Sequence, residues 1–215
     1  MSDMSDGSMS SGVDEMTKRN NRQKFLQQHG VSLEQSILVR LEYGGSNYLR
    51  YYEVGFEQKG DGMSYGSSII ADALFTRQVD TALFLPVADC IAAVLFDEEH
   101  NVLGLSHLGR HNLEQQGGTA TVQFMTQEFG TRPEELRVWL SPAAGRGNYP
   151  LHDFENRSLH EVTLQQLLIS GVRTDSITVD ERDTTTSENL FSHSEFLRGK
   201  RTQDGRQAVL AMMRS

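Results

Sequence analysis

Apolar and polar positions alternate from Ile37 to Tyr43 and again across Tyr48–Phe56, a spacing that predicts two half-buried strands separated by Gly44-Gly45. Ala71–Thr76, Thr81–Val87 and Ile91–Phe96 are nearly continuous apolar runs, as expected of buried strands. A polar turn at Asp97–Asn101 leads into a further strand, Val102–Leu108. Shorter strands are expected at Leu136–Ser141, Ile177–Val179 and Gln207–Met213. Helical spacing marks a segment ending at Gly30, then Leu113–Phe129 and Glu155–Ile169. Ser32 with Gln35 reads as a weak capping box. Residues 182–205 are polar and expected to be looped. Residues 1–16 lack periodicity and are expected to form a disordered tail, leaving 17–215 as one domain. The fold class is α/β or α+β, with a mixed β-sheet core flanked by helices.

Composition narrows the function classes. Lys and Arg number 20 against 29 Asp and Glu, a formal charge of -9, so no nucleic-acid partner is expected. The apolar region Thr81–Phe96 is interrupted by Pro86 and Asp89, and no run is long enough to span a membrane. The first residues do not read as a signal peptide, and Cys90 is the one cysteine. The expectation is a soluble, cytoplasmic protein without disulfides. Composition leaves the oligomeric state open.

Cys90 follows Asp89 at a strand end, where a sheet can hold a reactive group in place. A turn centred on Glu98–Glu99 sets Cys90 nearly opposite His107, with Cβ atoms roughly 5 Å apart. Such a pair can make a thiolate nucleophile or ligate zinc. The competing reading of Cys90 is a small buried core residue. Zinc needs further ligands, and His29, His100, His111, His152, His160 and His193 are the candidates; each by itself reads as a surface or hydrogen-bonding histidine. The turn after Ser141–Pro142 can offer backbone N–H groups and Arg146 to an anion, or be an ordinary glycine turn. Arg198, Lys200, Arg201 and Arg206 form the one locally basic stretch.

Taken in order, these segments resemble the YfiH, or laccase-domain, family, also known as purine nucleoside phosphorylases. The resemblance rests on ADALFT at 71–76, ADCIAAVLF at 88–96, His107-Leu108-Gly109-Arg110-His111-Asn112, LSPAAG at 140–145 and, weakly, FSHSEFLRGKRTQDGR at 191–206. NNRQKFL at 20–26 resembles the family's early NRRRL helix, and the whole spans about residues 18–213.

The resemblance implies a mixed-sheet α/β fold and a zinc held by His, Cys and His. Cys90 and His107 occupy two of those positions. The first His of the family's QVHG element is replaced by Tyr43, and the tryptophan and arginine after the second His become Arg110 and His111. The resemblance implies phosphorolysis of adenosine or inosine, and extends to deamination of adenosine. Phosphate would be held among Arg110, His111, Arg146 and Arg206, with Cys90, His107 and Asp89 as catalytic groups.

Two other readings stand beside it: a metal-independent Cys–His amidase or deamidase, and a ligand-binding relative without turnover. Copper laccase chemistry calls for more His and Cys ligands than the chain assembles.

Overall fold

The computed structural model describes all residues from Met1 to Ser215. Its core is a six-stranded mixed sheet with helices on one face and a three-stranded sheet on the other. The strands are β1 (Ser36–Leu38), β2 (Tyr51–Glu53), β3 (Ala73–Thr76), β4 (Ala82–Val87), β5 (Ile91–Asp97), β6 (Val102–Leu108), β7 (Arg137–Leu140), β8 (Ile177–Val179) and β9 (Gln207–Met212). The large sheet has the order β2-β3-β6-β5-β7-β8 and the small one β1-β4-β9. The helices are α1 (Glu15–Gln28), α2 (Arg110–Glu114), α3 (Gly117–Phe129), α4 (Leu159–Ile169) and α5 (His193–Leu197).

The apolar runs explain the layering. In β5, Ile91, Ala93 and Leu95 join Val122 and Met125 of α3 and Val162 and Leu167 of α4 in one cluster. Ala92 faces the other way and joins Leu83 and Leu85 of β4 and Val209 of β9. A strand alternates its side chains between faces, so a run buried on both sides is continuously apolar. The mixed α/β architecture thus agrees with the pattern along the chain.

Several local expectations need correction. The strands around Gly44-Gly45 shrink to Ser36–Leu38 and Tyr51–Glu53. Ser32 and Gln35 exchange the two capping-box hydrogen bonds, at 3.0 and 3.3 Å, in the turn that leads into β1, as expected. The helix expected at Leu113–Phe129 is broken at Gln116, whose φ of 61° stops α2 before α3 begins. Gly118 at the start of α3 donates its N–H to Gln166 Oε1 of α4 at 2.9 Å. A Cβ there would lie 2.9 Å from Gln166 Cβ, so the glycine permits the close approach of the two helices.

Residues 1–16 are not a free tail. Met9 is fully buried beside Phe25 and Phe84. Ser2 N donates to Ala208 O and Met9 N to Arg206 O, so the segment lies along the open edge of β9. Arg22 closes the arrangement from α1, its Nε donating to Met9 O at 2.8 Å. The polar composition hid this because the segment is held mainly by backbone hydrogen bonds and one methionine.

Candidate active site

The carboxyl ends of β4 and β6 and the amino ends of β5 and β9 meet at one end of the two sheets, around a cavity of about 450 Å³. Cys90 enters it from the turn between β4 and β5, His107 from the end of β6, and Arg110, His111 and Asn112 from the start of α2. Tyr43 and Tyr48 come from the 41–48 loop, Tyr149 from the turn after Pro142, His193 from the start of α5, and Arg206 from the residue before β9.

The hairpin differs from the expected register but keeps Cys90 and His107 together. The pairs are Ala92↔His107 and Ile91↔Leu108, so the turn centres on Glu99–His100. Continuing that register sets Cys90 across from Gly109, with His107 diagonally placed on the same face. A shift of two residues preserves the face, whereas a shift of one would not. Gly109 lies between the two functional groups: a Cβ built on it falls 2.8 Å from Cys90 Sγ and 2.9 Å from His107 Cε1.

Both groups are neutral near pH 7. Burial pushes the Cys90 thiol up to about 12, reinforced by Asp89 and opposed by Arg206 and Arg110. Burial pulls His107 down to about 4, opposed by Asp72 and the Asn112 amide. His107 Nδ1 is buried without a hydrogen-bond partner. A thiolate nucleophile needs a lowered thiol pKa, which this setting does not supply.

The donor set does not fit a zinc centre. Cys90 and His107 are two ligands, and no group of three or more His, Cys, Asp or Glu side chains gathers anywhere in the fold to hold a metal ion. The third position belongs to Tyr43, whose ring stands edge-on to the His107 ring at 6.4 Å between centroids. Tyr43 is 64% exposed, and a neutral phenol is a poor ligand for zinc. Zinc-binding histidines ordinarily donate their second ring N–H to a carbonyl or carboxylate, and buried Nδ1 of His107 has no such partner. His111 does not fill the gap: its ring stacks on Tyr48 at 4.8 Å, and its Nδ1 meets Glu114 Oε2 at 3.0 Å.

The other expected residues separate into those that reach the cavity and those that do not. Asp89 lines it, but both carboxylate oxygens are engaged. Oδ1 accepts from Thr184 Oγ1 at 2.8 Å and Oδ2 from Ser194 N at 2.7 Å. Asp89 also holds a left-handed φ of 73°. It ties the β4–β5 turn to the 184 loop and to α5. Arg110 and Arg206 face the cavity; Arg146 is not among its lining residues and sits near Glu161. In the turn after Ser141, Gly145 N donates to Asp183 Oδ1 at 2.9 Å, Ala144 N to Asp89 O, and Asn148 N and Tyr149 N to Gly145 O, so most of its N–H groups are already engaged.

Residue-type reasoning missed Tyr48, Asn112, Tyr149 and Asp204 and passed over His193 as a lone histidine. His193 Nδ1 is held by Asp204 Oδ1 at 3.0 Å, and Arg206 Nη1 donates to the same oxygen at 2.8 Å. The pairing of a His and an Asp eleven residues apart was the available signal.

The cavity at the strand ends of this α/β fold thus gathers a Cys–His pair, two guanidinium groups and an aromatic wall. Residues 3–157 match the family described as multi-copper polyphenol oxidoreductase laccase, and the chain belongs to that family. A purine nucleoside phosphorylase of Corynebacterium glutamicum is 28% identical over 202 residues, covering 85% of this chain and 78% of that protein. A purine nucleoside phosphorylase of Bacteroides thetaiotaomicron is 24% identical over 140 residues, covering 63% of this chain. That match spans 50% of the Bacteroides protein's own length.

The fold is shared with solved structures. The Bacillus licheniformis hypothetical protein YfiH superimposes with a TM-score of 0.85 at 20% identity, covering 96% of this chain and 85% of that one. YlmD from Geobacillus stearothermophilus gives 0.84 at 22% identity, covering 97% and 85%. No helix is long and apolar enough to cross a membrane.

Proposed function

We propose that the chain cleaves a purine nucleoside with inorganic phosphate, releasing the base and ribose 1-phosphate. The observation that carries this reading is the single cavity that combines aromatic walls, Tyr43, Tyr48 and Tyr149, with two guanidinium groups, Arg110 and Arg206. Its volume of about 450 Å³ lies within the range of small-molecule sites, and the aromatic rings offer flat surfaces to a purine. Guanidinium groups are suited to phosphate because their forked donors match its oxygens. The relatives named purine nucleoside phosphorylases point to the same substrates.

Phosphorolysis brings its own nucleophile. Deamination of adenosine calls for an activated water, usually supplied by a metal, and the donors present do not make such a site. A Cys–His amidase needs a thiolate, which burial of Cys90 opposes. Within this reading Cys90 and His107 form a neutral floor, and Asp89 holds the turn that carries Cys90. Arg110 and Arg206 hold phosphate and offset charge as the bond to the base breaks.

The test is base release from inosine and adenosine, with and without phosphate. Base and ribose 1-phosphate formed in equal amounts, only with phosphate present, support the reading. Release that ignores phosphate, or ammonia without free base, overturns it.

A further inference from the structure

The geometry points to His193, oriented by Asp204, as the acid that protonates the departing purine. This inference rests on the phosphorolysis reading and names the proton donor within it. His193 is the first residue of α5 and lines the cavity. Its Nδ1 lies 3.0 Å from Asp204 Oδ1, which leaves Nε2 as the ring nitrogen available to a ligand. Both tautomer and ring direction are set by such a pairing, since a carboxylate accepts the Nδ1 proton.

Asp204 does more than hold the imidazole. The same Oδ1 accepts from Gly205 N at 2.9 Å and from Arg206 Nη1 at 2.8 Å. One carboxylate oxygen therefore sets the relative positions of a proton donor and an anion receptor. The N-terminal segment buttresses this loop: Ser8 Oγ accepts from Arg206 N at 3.0 Å, and a Cβ on Gly12, whose φ is +81°, would run into the Asp204 carbonyl. The other groups on the cavity wall are poorly placed for the role. His107 is buried and pulled down to about 4, the half-buried Cys90 thiol is pushed up to about 12, His111 is committed to Glu114 and Tyr48, and Asp89 has both oxygens occupied.

The step balances without a further reactant. An oxygen of phosphate forms a bond to C1′ as the C1′–N9 bond breaks. The electron pair of that bond passes into the purine ring, and ring N7 takes a proton from Nε2 of the His193 imidazolium, whose Nδ1–H stays on Asp204. The acidic hydroxyl of the new phosphate ester returns a proton to His193. One nucleoside and one hydrogen phosphate give one ribose 1-phosphate and one free base.

A substrate that needs no proton separates this role from a structural one. In 7-methylinosine, N7 already carries a methyl group and a positive charge, so the base leaves without general-acid help. We compare kcat for inosine and 7-methylinosine in wild type, His193→Gln and Asp204→Asn, with far-ultraviolet circular dichroism and melting temperature as folding controls. The expected result is a fall of about 100-fold or more in kcat for inosine in H193Q, the lower end of what general-acid catalysis contributes, with kcat for 7-methylinosine within about 3-fold of wild type. D204N, which leaves the imidazole in place without its orienting charge, is expected to show a smaller loss with the same preference for the methylated substrate. Equal losses on both substrates overturn the assignment, as does an H193Q enzyme with wild-type rates. A wild type that cleaves inosine while H193Q does so equally well rejects the dyad alone. A wild type that releases base from neither substrate rejects phosphorolysis, and the dyad's role with it.

Discussion

Adding one methyl group at Gly109 tests how closely Cys90 and His107 are packed. In Gly109→Ala the new Cβ would fall 2.8 Å from Cys90 Sγ, 2.9 Å from His107 Cε1 and 3.3 Å from His107 Nε2. Comfortable contacts between such atoms lie near ~3.5–4.0 Å, so two of the three overlap by close to ~1 Å. The backbone is no obstacle: Gly109 has φ -99° and ψ 179°, an extended conformation open to alanine. The cost therefore falls on the two site residues. His107 is only 4% exposed and has little room to turn.

Overpacking of this kind costs about 1–3 kcal/mol, and in a chain of this length each kcal/mol lowers the melting temperature by about 2–4 °C. The expected drop is about 2–12 °C by differential scanning calorimetry, accompanied by weaker inosine binding. Gly147→Ala is the control, since a Cβ there meets nothing within 4 Å. In the Cys90→Ala background, where the Sγ overlap is gone, Gly109→Ala should cost less, with a coupling of about 0.5–3 kcal/mol. A G109A protein that melts with G147A, or a cycle with no coupling, refutes the reasoning.

Four further outcomes follow from the structure. Met9→Ala should lower stability by about 2–5 kcal/mol in urea, because a fully buried methionine side chain is lost; a change within about 0.5 kcal/mol would mean that residues 1–16 do not pack as described. His107, near 4 folded against an ordinary 6.5, leaves the folded state with fewer protons than the unfolded chain between those pH values. Stability should therefore be full above about pH 6.5 and fall as pH drops toward 4, by up to about 3 kcal/mol; His107→Asn should flatten that slope, and an unchanged slope in the variant assigns it elsewhere. Asp89→Asn tolerates the left-handed backbone but weakens the two acceptor contacts to Thr184 and Ser194; a loss of about 1.5–3 kcal/mol and a raised KM for inosine are expected, and wild-type values for both would remove Asp89's positioning role. Purified protein should carry far less than one zinc per chain by mass spectrometry, and Tyr43→His should raise the content; stoichiometric zinc in wild type, lost in Cys90→Ala, would reverse the fit argument.

Much of the scaffold was legible because its strands are continuous apolar runs buried on both faces. Ile177–Val179 and Val102–Leu108 matched their expected bounds, and β4, β5 and β9 came within a residue at each end. The first two strands were overdrawn because alternation around Gly44-Gly45 continues past the residues that find a pairing partner. Cys90 and His107 were brought together by hairpin logic even though the turn centre was one position off, because the shift kept both on the same face. Arg146 looked as suitable for phosphate as Arg206. Only the path of the turn after Ser141 removes it from the cavity wall.

By itself, the amino-acid sequence determined the strand-rich α/β class, the position of the Cys–His hairpin and the tyrosine standing where the resemblance calls for a ligand. Those features are encoded by neighbours within a few residues, through periodic burial, turn chemistry and residue identity. Tertiary structure alone decided which distant loops close over the hairpin. Thr184 and Ser194 meet Asp89, His193 and Arg206 share Asp204 and line the cavity with Cys90, and residues 2–9 seal β9. Each of these contacts depends on strand ends from two sheets arriving at the same place, and local pattern carries no record of that convergence.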